Sequence, residues 1–212
     1  MANSTISPRP VPPVVAILGP DGSGKSTVID GIRSRLVARG LEMETIHWRP
    51  DVINPRGGDG GPTPDPHGQA PRSYLASVLK LGMLFGDWSL GYLGPFRRAR
   101  REGRLVLCDR HYYDLLVDPR RYRFKGPHWL ARLMFALLPK PTRLLLLDVS
   151  PEEIQRRKQE VSEEETARQV AAYRELVGGL GFGRIIDAGR APDEVADAVV
   201  AEILASYRPP IA

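Results

Sequence analysis

Residues 14–27 read VVAILGPDGSGKST, and the fold prediction rests mainly on this segment. Five consecutive aliphatic residues that end at a glycine are typical of a strand buried on both faces. The apolar positions after Lys25 recur at helical spacing up to Gly40, which predicts a helix. Between strand and helix, residues 19–26 match the pattern G-x-x-x-x-G-K-[ST]. The stretch therefore predicts a nucleotide-binding strand–loop–helix unit.

Each residue type in this loop has a chemical reason to be there. Glycines let the backbone approach phosphate oxygens closely, and the N-terminus of the following helix adds positive potential. Lys25 can reach the β- and γ-phosphates, and the hydroxyl of Ser26 can ligate Mg²⁺. The ATP-binding residues predicted in the loop are Gly19, Asp21, Gly22, Ser23, Gly24, Lys25, Ser26 and Thr27.

The remainder of the sequence alternates between predicted strands and helices. Aliphatic runs predict further strands at 44–48, 105–108, 144–149 and 184–186. Near-continuous aliphatic strands that alternate with helices are typical of a parallel sheet covered on both faces. We therefore predict an α/β fold of the three-layer P-loop kinase type, with a five-stranded parallel sheet, helices on both faces and a small lid.

The length of 212 residues fits one domain. The proline-rich residues 1–13 predict a disordered tail, followed by a single domain over residues 14–207. Within that domain, residues 51–71 are rich in glycine and proline, which predicts a flexible insertion. The lid is expected at about 156–168.

Composition narrows the function classes. The formal net charge of +5 indicates an anionic partner, and the single Cys108 excludes a disulfide scaffold and indicates a reducing compartment. The longest apolar stretch, residues 74–96, contains Lys80 and Asp87, so we expect no membrane span. Without an apolar signal segment at its start, the chain is expected to be cytoplasmic. The basic residues 97–104 lack interleaved aromatic rings, so nucleic acid is not an expected partner.

Several segments make the chain resemble the thymidylate kinase-like branch of the nucleoside monophosphate kinases. They are GPDGSGKST (19–27), LVLCDRHYYD (105–114), LLLLDVSPEEIQRRK (144–158), AAYREL (171–176) and IIDAGRAPDEV (185–195). The sequence lacks both the N-K-x-D motif by which GTPases read guanine and the Asp-Glu strand end of ATPase machines. The resemblance implies an ATP-dependent phosphotransferase with Mg²⁺ as its cofactor.

The resemblance also implies roles for individual residues. The implied catalytic residues are Lys25, Asp109, Arg110 and Arg157, with Asp109 sharing the metal site with Ser26. Further ATP contacts are implied at Arg156 in the lid and, beside the adenine, at Ala188, Gly189 and Arg190. The expected acceptor-binding residues are Asp21, Arg49, Asp87, Arg110, Tyr112 and Tyr113.

The sequence departs from the family pattern around the acceptor. Residues 47–52 replace the Arg-Glu-Pro-Gly-Gly-Thr-like segment that thymidylate kinases typically carry after the second strand. Some of those enzymes have an arginine where this chain has Gly22, so the missing cation is expected from the lid, at Arg156, Arg157 or Arg168.

The predicted function is a kinase that transfers the γ-phosphoryl group of ATP to a nucleoside monophosphate-like acceptor. The segment 109–123, rich in Arg and Tyr, keeps open a sugar, a glycoside or another hydroxylated metabolite of a polysaccharide or secondary-metabolite pathway. The sequence also leaves open a non-catalytic nucleotide-binding regulatory protein and a polynucleotide kinase. The expected partners are ATP and a small-molecule acceptor. The resemblance also implies that two chains can form a dimer through helix 72–93, as members of the family often do.

Overall fold

A parallel sheet lies at the centre of the computed structural model, which describes residues 10–53, 55 and 70–207. The strands in these ranges are β1 (Val14–Leu18), β2 (Met43–His47), β3 (Leu105–Asp109), β4 (Arg143–Asp148) and β5 (Gly183–Asp187). They are all parallel, in the order β2-β3-β1-β4-β5. The prediction of an α/β fold with a five-stranded parallel sheet is confirmed.

Helices connect the strands. In the described ranges they are α1 (Lys25–Val37), α2 (Tyr74–Leu93), α3 (Pro95–Arg101), α4 (Asp114–Val117), α5 (His128–Leu137), α6 (Pro151–Arg157), α7 (Glu163–Gly178) and α8 (Pro192–Ala205). The hydroxyls of Ser150 and Ser162 cap α6 and α7 by accepting backbone N–H groups three residues ahead. None of the helices in the described part of the chain is long and apolar enough to cross a membrane.

The sheet is packed on both faces, which explains its unbroken aliphatic strands. Alternate residues of β1 point to opposite faces, as the pleat requires. Val14, Ala16 and Leu18 belong to a core built with residues of α2, α3, α5 and α7. Val15 and Ile17 belong to a second core built mainly with α1 and α8. The sheet is therefore the middle layer between two sets of helices.

The structure adds detail at the edges of the predicted elements. Pro12 and Pro13 are buried, and the carbonyl of Pro13 accepts a hydrogen bond from the N–H of Val106, at 3.1 Å, so packing begins before Val14. The short helix α4 was not predicted, because four residues are too few to show a helical period. Most of the predicted insertion 51–71 lies outside the described residues. The predicted lid, 156–168, covers the end of α6, residues 158–162 and the start of α7.

The topology brings the ends of β1 and β3 together. Ile17 of β1 is paired with Asp109 of β3, and Leu18 is paired with Leu146 of β4 on the other side. The loops that follow β1 and β3 therefore leave the sheet next to each other, at the edge where open α/β sheets bind ligands.

Candidate functional site

The turn between β1 and α1, residues Gly19–Ser26, is referred to as the glycine loop. Gly22 has a φ of +87° and Gly24 a φ of +84°, in the left-handed region that favours glycine. A Cβ atom at Gly19 would lie 2.7 Å from the Oγ of Ser23, and one at Gly22 would lie 3.3 Å from the Cβ of Lys158. The glycines are thus required both for the path of the loop and for the close approach of its neighbours.

Lys25 folds back onto the glycine loop. Its Nζ donates hydrogen bonds to the carbonyl oxygens of Gly19, at 2.8 Å, and Pro20, at 2.7 Å, and to the Oγ of Ser23, at 3.3 Å. Burial, followed by repulsion from Arg110, lowers the pKa of Lys25 to about 7. An anion that entered the loop would stabilise the charged form of this amine.

Asp109 ends β3 beside the glycine loop. Its Oδ2 lies 2.9 Å from the Nδ1 of His47, whereas its buried Oδ1 has no hydrogen-bond partner among the described residues. Burial alone would raise the pKa of Asp109, but the hydrogen bond from His47 and the positive charge of Lys25 outweigh it, so the net shift is downward. Asp109 is therefore an ionised carboxylate with one buried oxygen open to a further donor or cation.

The backbone turns sharply at Arg110, directly after β3. It has a φ of +77°, a conformation that is uncommon for a residue with a side chain, and its N–H donates to the carbonyl of Ile17 at 3.1 Å. Its guanidinium contacts one carboxylate oxygen of Asp21, and the guanidinium of Arg121 contacts the other. Burial acts to lower the pKa of Arg110, but the neighbouring Tyr122 and buried carboxylates raise it overall. We call Arg110 and Arg121 the arginine pair.

Arg121 is a residue that the sequence prediction missed. It lies 100 residues from Asp21 in the chain, so no local pattern connects the two. A weak signal was present, because Asp118-Pro119 is a turn-initiating dipeptide that can return the chain toward the end of β3. The structure therefore adds a second guanidinium beside the glycine loop.

Two predicted acceptor residues, Arg49 and Asp87, lie next to each other where the segment after β2 contacts α2. The buried carboxylate of Asp87 accepts backbone N–H groups from Asp51, Val52 and Ile53, at 3.0, 2.6 and 2.8 Å. The Nε of Arg49 lies 2.7 Å from Asp51 and its Nη1 lies 3.5 Å from Asp87. In the structure these residues hold the segment after β2 against α2.

The two predicted acceptor tyrosines lie in the hydrophobic core. Tyr112 is 3% exposed and packs against Trp88 and Phe135, and Tyr113 is 7% exposed. His111 beside them is fully buried, and burial lowers its pKa well below the ordinary value. The three rings face away from solvent.

Two of the three predicted lid arginines, Arg156 and Arg157, lie on α6 near the glycine loop, whereas the third, Arg168, lies on α7. The Nε of Arg157 lies 2.8 Å from the Oε1 of Glu153, which also contacts Arg156 through its other oxygen. A Cβ atom at Gly24 would lie 3.9 Å from the Nη1 of Arg157, so this guanidinium is close to the loop. The side chain of Arg156 is 76% exposed. Arg157 is thus the nearer of the two cations.

The residues predicted to lie beside adenine follow β5. The N–H of the buried Ala188 donates to the carbonyl of Asp148 at 2.8 Å, and the N–H of Gly189 donates to the Oδ1 of Asp187 at 3.0 Å. Arg190 is exposed. This turn lies at the carboxyl edge of the sheet, two strands away from the glycine loop.

The arrangement gathers Asp21, Lys25, Asp109 and Arg110 at one edge of the sheet, with Ser26 and Thr27 exposed in the first turn of α1. Fixed cations next to an ionised carboxylate can hold phosphate groups and position a second reactant. No protein-family model matches this chain, and a search of curated proteins found no match either.

Proposed function

We propose that this chain is an ATP-dependent small-molecule kinase of the thymidylate kinase-like type, with a P-loop kinase fold, that phosphorylates a nucleoside monophosphate-like acceptor. The observation that carries the proposal is the position of Asp109, which ends the strand next to the glycine loop and its buried Lys25, and of Arg110 directly after it. Phosphoryl transfer requires this combination of a phosphate-holding loop, cations and an orienting carboxylate.

The residues have distinct tasks in this reaction. Lys25 would leave its loop carbonyls to bind the β- and γ-phosphates, and Arg157 would add positive charge from above the loop. The acceptor oxygen attacks the γ-phosphorus, and the bond to the β–γ bridging oxygen breaks to release ADP. Asp109 is ionised, so it would orient the acceptor and receive its proton where a hydroxyl reacts.

Ser26 and Asp109 fit a magnesium site. The described residues include no cluster of three or more His, Cys, Asp or Glu side chains that could hold a metal by themselves. Mg²⁺ is commonly bound through one or two protein ligands together with water and substrate phosphates. The buried Oδ1 of Asp109, without a hydrogen-bond partner among the described residues, suits such a ligand shell. The ion would neutralise charge on the phosphates.

The placement of the tyrosines bears on the choice of acceptor. An uncharged sugar or glycoside also fits the sequence, because segment 109–123 is rich in hydroxyl groups. Tyr112 and Tyr113 pack in the core, so they lend no support to recognition of a polyhydroxylated substrate. We therefore put forward a nucleoside monophosphate-like molecule as the acceptor.

An acceptor-dependent ADP-release assay tests the proposal. Nucleoside monophosphates are screened first, then nucleosides, sugars and aminoglycosides. We expect Asp109→Asn to lower the rate by roughly a hundredfold or more, since it removes a charge beside the transferred group. Asp148→Asn, at the end of the neighbouring strand β4, is the matched control and is expected to retain activity.

Two outcomes would contradict the proposal. Tight ATP binding without turnover on any acceptor would favour a regulatory protein that binds nucleotide without catalysis. Absence of affinity for every nucleoside triphosphate would remove the basis of the proposed function altogether.

A further inference from the structure

The outer face of α5 is apolar and exposed. Trp129, Leu133 and Leu137 are spaced four residues apart, so their side chains form one row along the helix. They are 67%, 54% and 70% exposed. The opposite face of α5 is buried, with Ala131 and Phe135 in the core. The helix therefore presents three large apolar side chains to solvent, an arrangement that is typical of a surface for a partner.

Three cations accompany this apolar row. Lys125 precedes the helix, Arg132 lies next to Leu133 within it, and Lys140 follows its end. All three cations are exposed, and none forms an ion pair with another residue of the described ranges. The next cation along the chain, Arg143, differs in that it lies 3.5 Å from a carboxylate of α8. We call the apolar row and its three cations the basic face.

The charge of the surrounding segment has one sign. Residues 119–147 contain seven Lys and Arg residues and no Asp or Glu. The whole chain has 30 basic and 25 acidic residues, so 23 basic and 25 acidic residues remain outside this segment. The excess positive charge of the protein is therefore concentrated in the segment that contains α5. A surface of this kind attracts an anionic partner.

A second copy of the chain is poorly suited to the basic face. In a symmetric dimer a surface patch contacts itself, so Arg132 and the other two cations would meet identical cations. Like charges brought together at an interface oppose association. The exposed residues of α2, where a dimer is expected, include no charged side chain. The two exposed apolar faces therefore suit different partners.

A membrane that contains anionic lipids suits the basic face best. Tryptophan and leucine side chains of interfacial helices enter the boundary between headgroups and acyl chains, and neighbouring Lys and Arg side chains attract anionic headgroups. Helix α5 has ten residues and is about 15 Å long, so it is too short to cross a bilayer and would lie along its surface. An acidic protein would match the charges, but the exposed tryptophan and leucines favour the membrane interface.

We propose that the basic face is a docking surface for membranes that contain anionic lipids. Its apolar row enters the interface, and its three cations contact the lipid phosphates. The inference goes beyond the proposed function and does not depend on it, because no residue of α5 belongs to the glycine loop or the arginine pair.

Vesicle binding, followed by tryptophan emission of the full chain, tests the proposal. Of the three tryptophans, Trp88 is 1% exposed and Trp48 is half-buried against Tyr122, so Trp129 is the exposed reporter. With vesicles of phosphatidylglycerol and phosphatidylcholine we expect a saturable shift of the emission to shorter wavelength. The shift is expected to be absent with phosphatidylcholine alone and absent in Trp129→Phe.

Two substitutions on α5 measure the contributions of apolar surface and charge. Leu137→Ala is expected to weaken co-sedimentation with the anionic vesicles roughly tenfold, because apolar surface that enters the interface is lost. Arg132→Gln is expected to weaken it roughly fivefold, because one headgroup contact is lost. The matched controls are Val37→Ala on α1, where the valine is 69% exposed, and Arg97→Gln at an exposed arginine of α3. Both controls are expected to bind as the wild type does.

The proposal is overturned if the wild type does not bind the anionic vesicles, or if both α5 variants bind them as tightly as the wild type. An equal emission shift with poly-glutamate at the same concentration of charge would also overturn it and would indicate an acidic protein partner. Conversion of a dimer to a monomer by Leu137→Ala, measured by analytical ultracentrifugation without vesicles, would show that α5 joins two chains instead. The kinase assay contains no vesicles, so these outcomes leave the proposed function unaffected.

Discussion

Two clusters of charged side chains in this molecule have opposite composition. Between α1 and α8, Arg35 pairs with two carboxylates, Asp193 at 3.0 Å and Asp197 at 2.6 Å, whose side chains are 88% and 63% exposed. We call this the outer cluster. At the ends of β1 and β3, one carboxylate, Asp21, pairs with two guanidiniums and is 16% exposed. We call this the inner cluster.

The difference between the clusters suggests that they have different roles, one structural and one functional. Water screens the outer cluster, so it makes a small contribution to joining α1 to α8. The inner cluster bears the cost of removing charges from water, and Arg110 adds an uncommon backbone conformation. Such features persist where a site uses them. We therefore propose that the inner cluster, with Lys25 and Asp109 beside it, is the functional region, and the following predictions test this distinction.

The largest expected effect comes from Lys25→Met. We expect the affinity for ATP to fall by roughly a hundredfold or more, since the variant removes the cation that we propose binds the phosphates. Only a small change in the free energy of unfolding is expected, because the loss of the hydrogen bonds to Gly19 and Pro20 is offset by removal of a buried amine whose charge is disfavoured by burial. Calorimetric titration and thermal unfolding measure the two effects.

The matched control for Lys25→Met is Lys140→Met, which removes an exposed lysine outside the site. It is expected to leave ATP affinity unchanged. Equal ATP affinity in Lys25→Met and the wild type would place the functional region elsewhere.

The next effect is a change in protonation on binding. The pKa of Lys25 is lowered to about 7, so at pH 8 the amine of the free protein is mostly neutral. A bound triphosphate favours the charged amine, so binding is expected to take up about one proton at pH 8 and much less at pH 6. ATP affinity is accordingly expected to decrease as the pH rises from 7 to 9.

Calorimetry in two buffers of different ionisation enthalpy measures this uptake. The difference between the wild type and Lys25→Met assigns it to this side chain. An uptake at pH 8 that persists in Lys25→Met would show that another group changes protonation.

The region around the inner cluster also shows which features could be predicted from the sequence. Strand β1, the glycine loop and the start of α1 were predicted correctly because aliphatic continuity and the G-x-x-x-x-G-K pattern are local signals. The parallel sheet followed from the same periodicity in the other strands. These features depend on neighbours in the chain.

The parts that could not be predicted depend on contacts between distant segments. Arg121 contacts Asp21 only because residues 118–125 fold back toward the glycine loop. Asp87 receives three backbone N–H groups from the segment after β2, a use of a carboxylate that has no sequence signature. Tyr112 and Tyr113 were expected to bind the acceptor, yet their rings pack in the core.

The outer cluster is expected to show the smallest effect. A substitution there should leave binding and turnover unchanged, in contrast to one in the inner cluster. Arg35→Ala removes the guanidinium that joins α1 to α8, and we expect only a slight decrease in the unfolding temperature, with ATP affinity and acceptor turnover unchanged. Arg35 lies ten residues after Lys25 on the same helix, about 15 Å along its axis. A loss of ATP affinity in Arg35→Ala would mean that the packing of α1 on α8 controls the glycine loop, and the two clusters could then no longer be assigned separate roles.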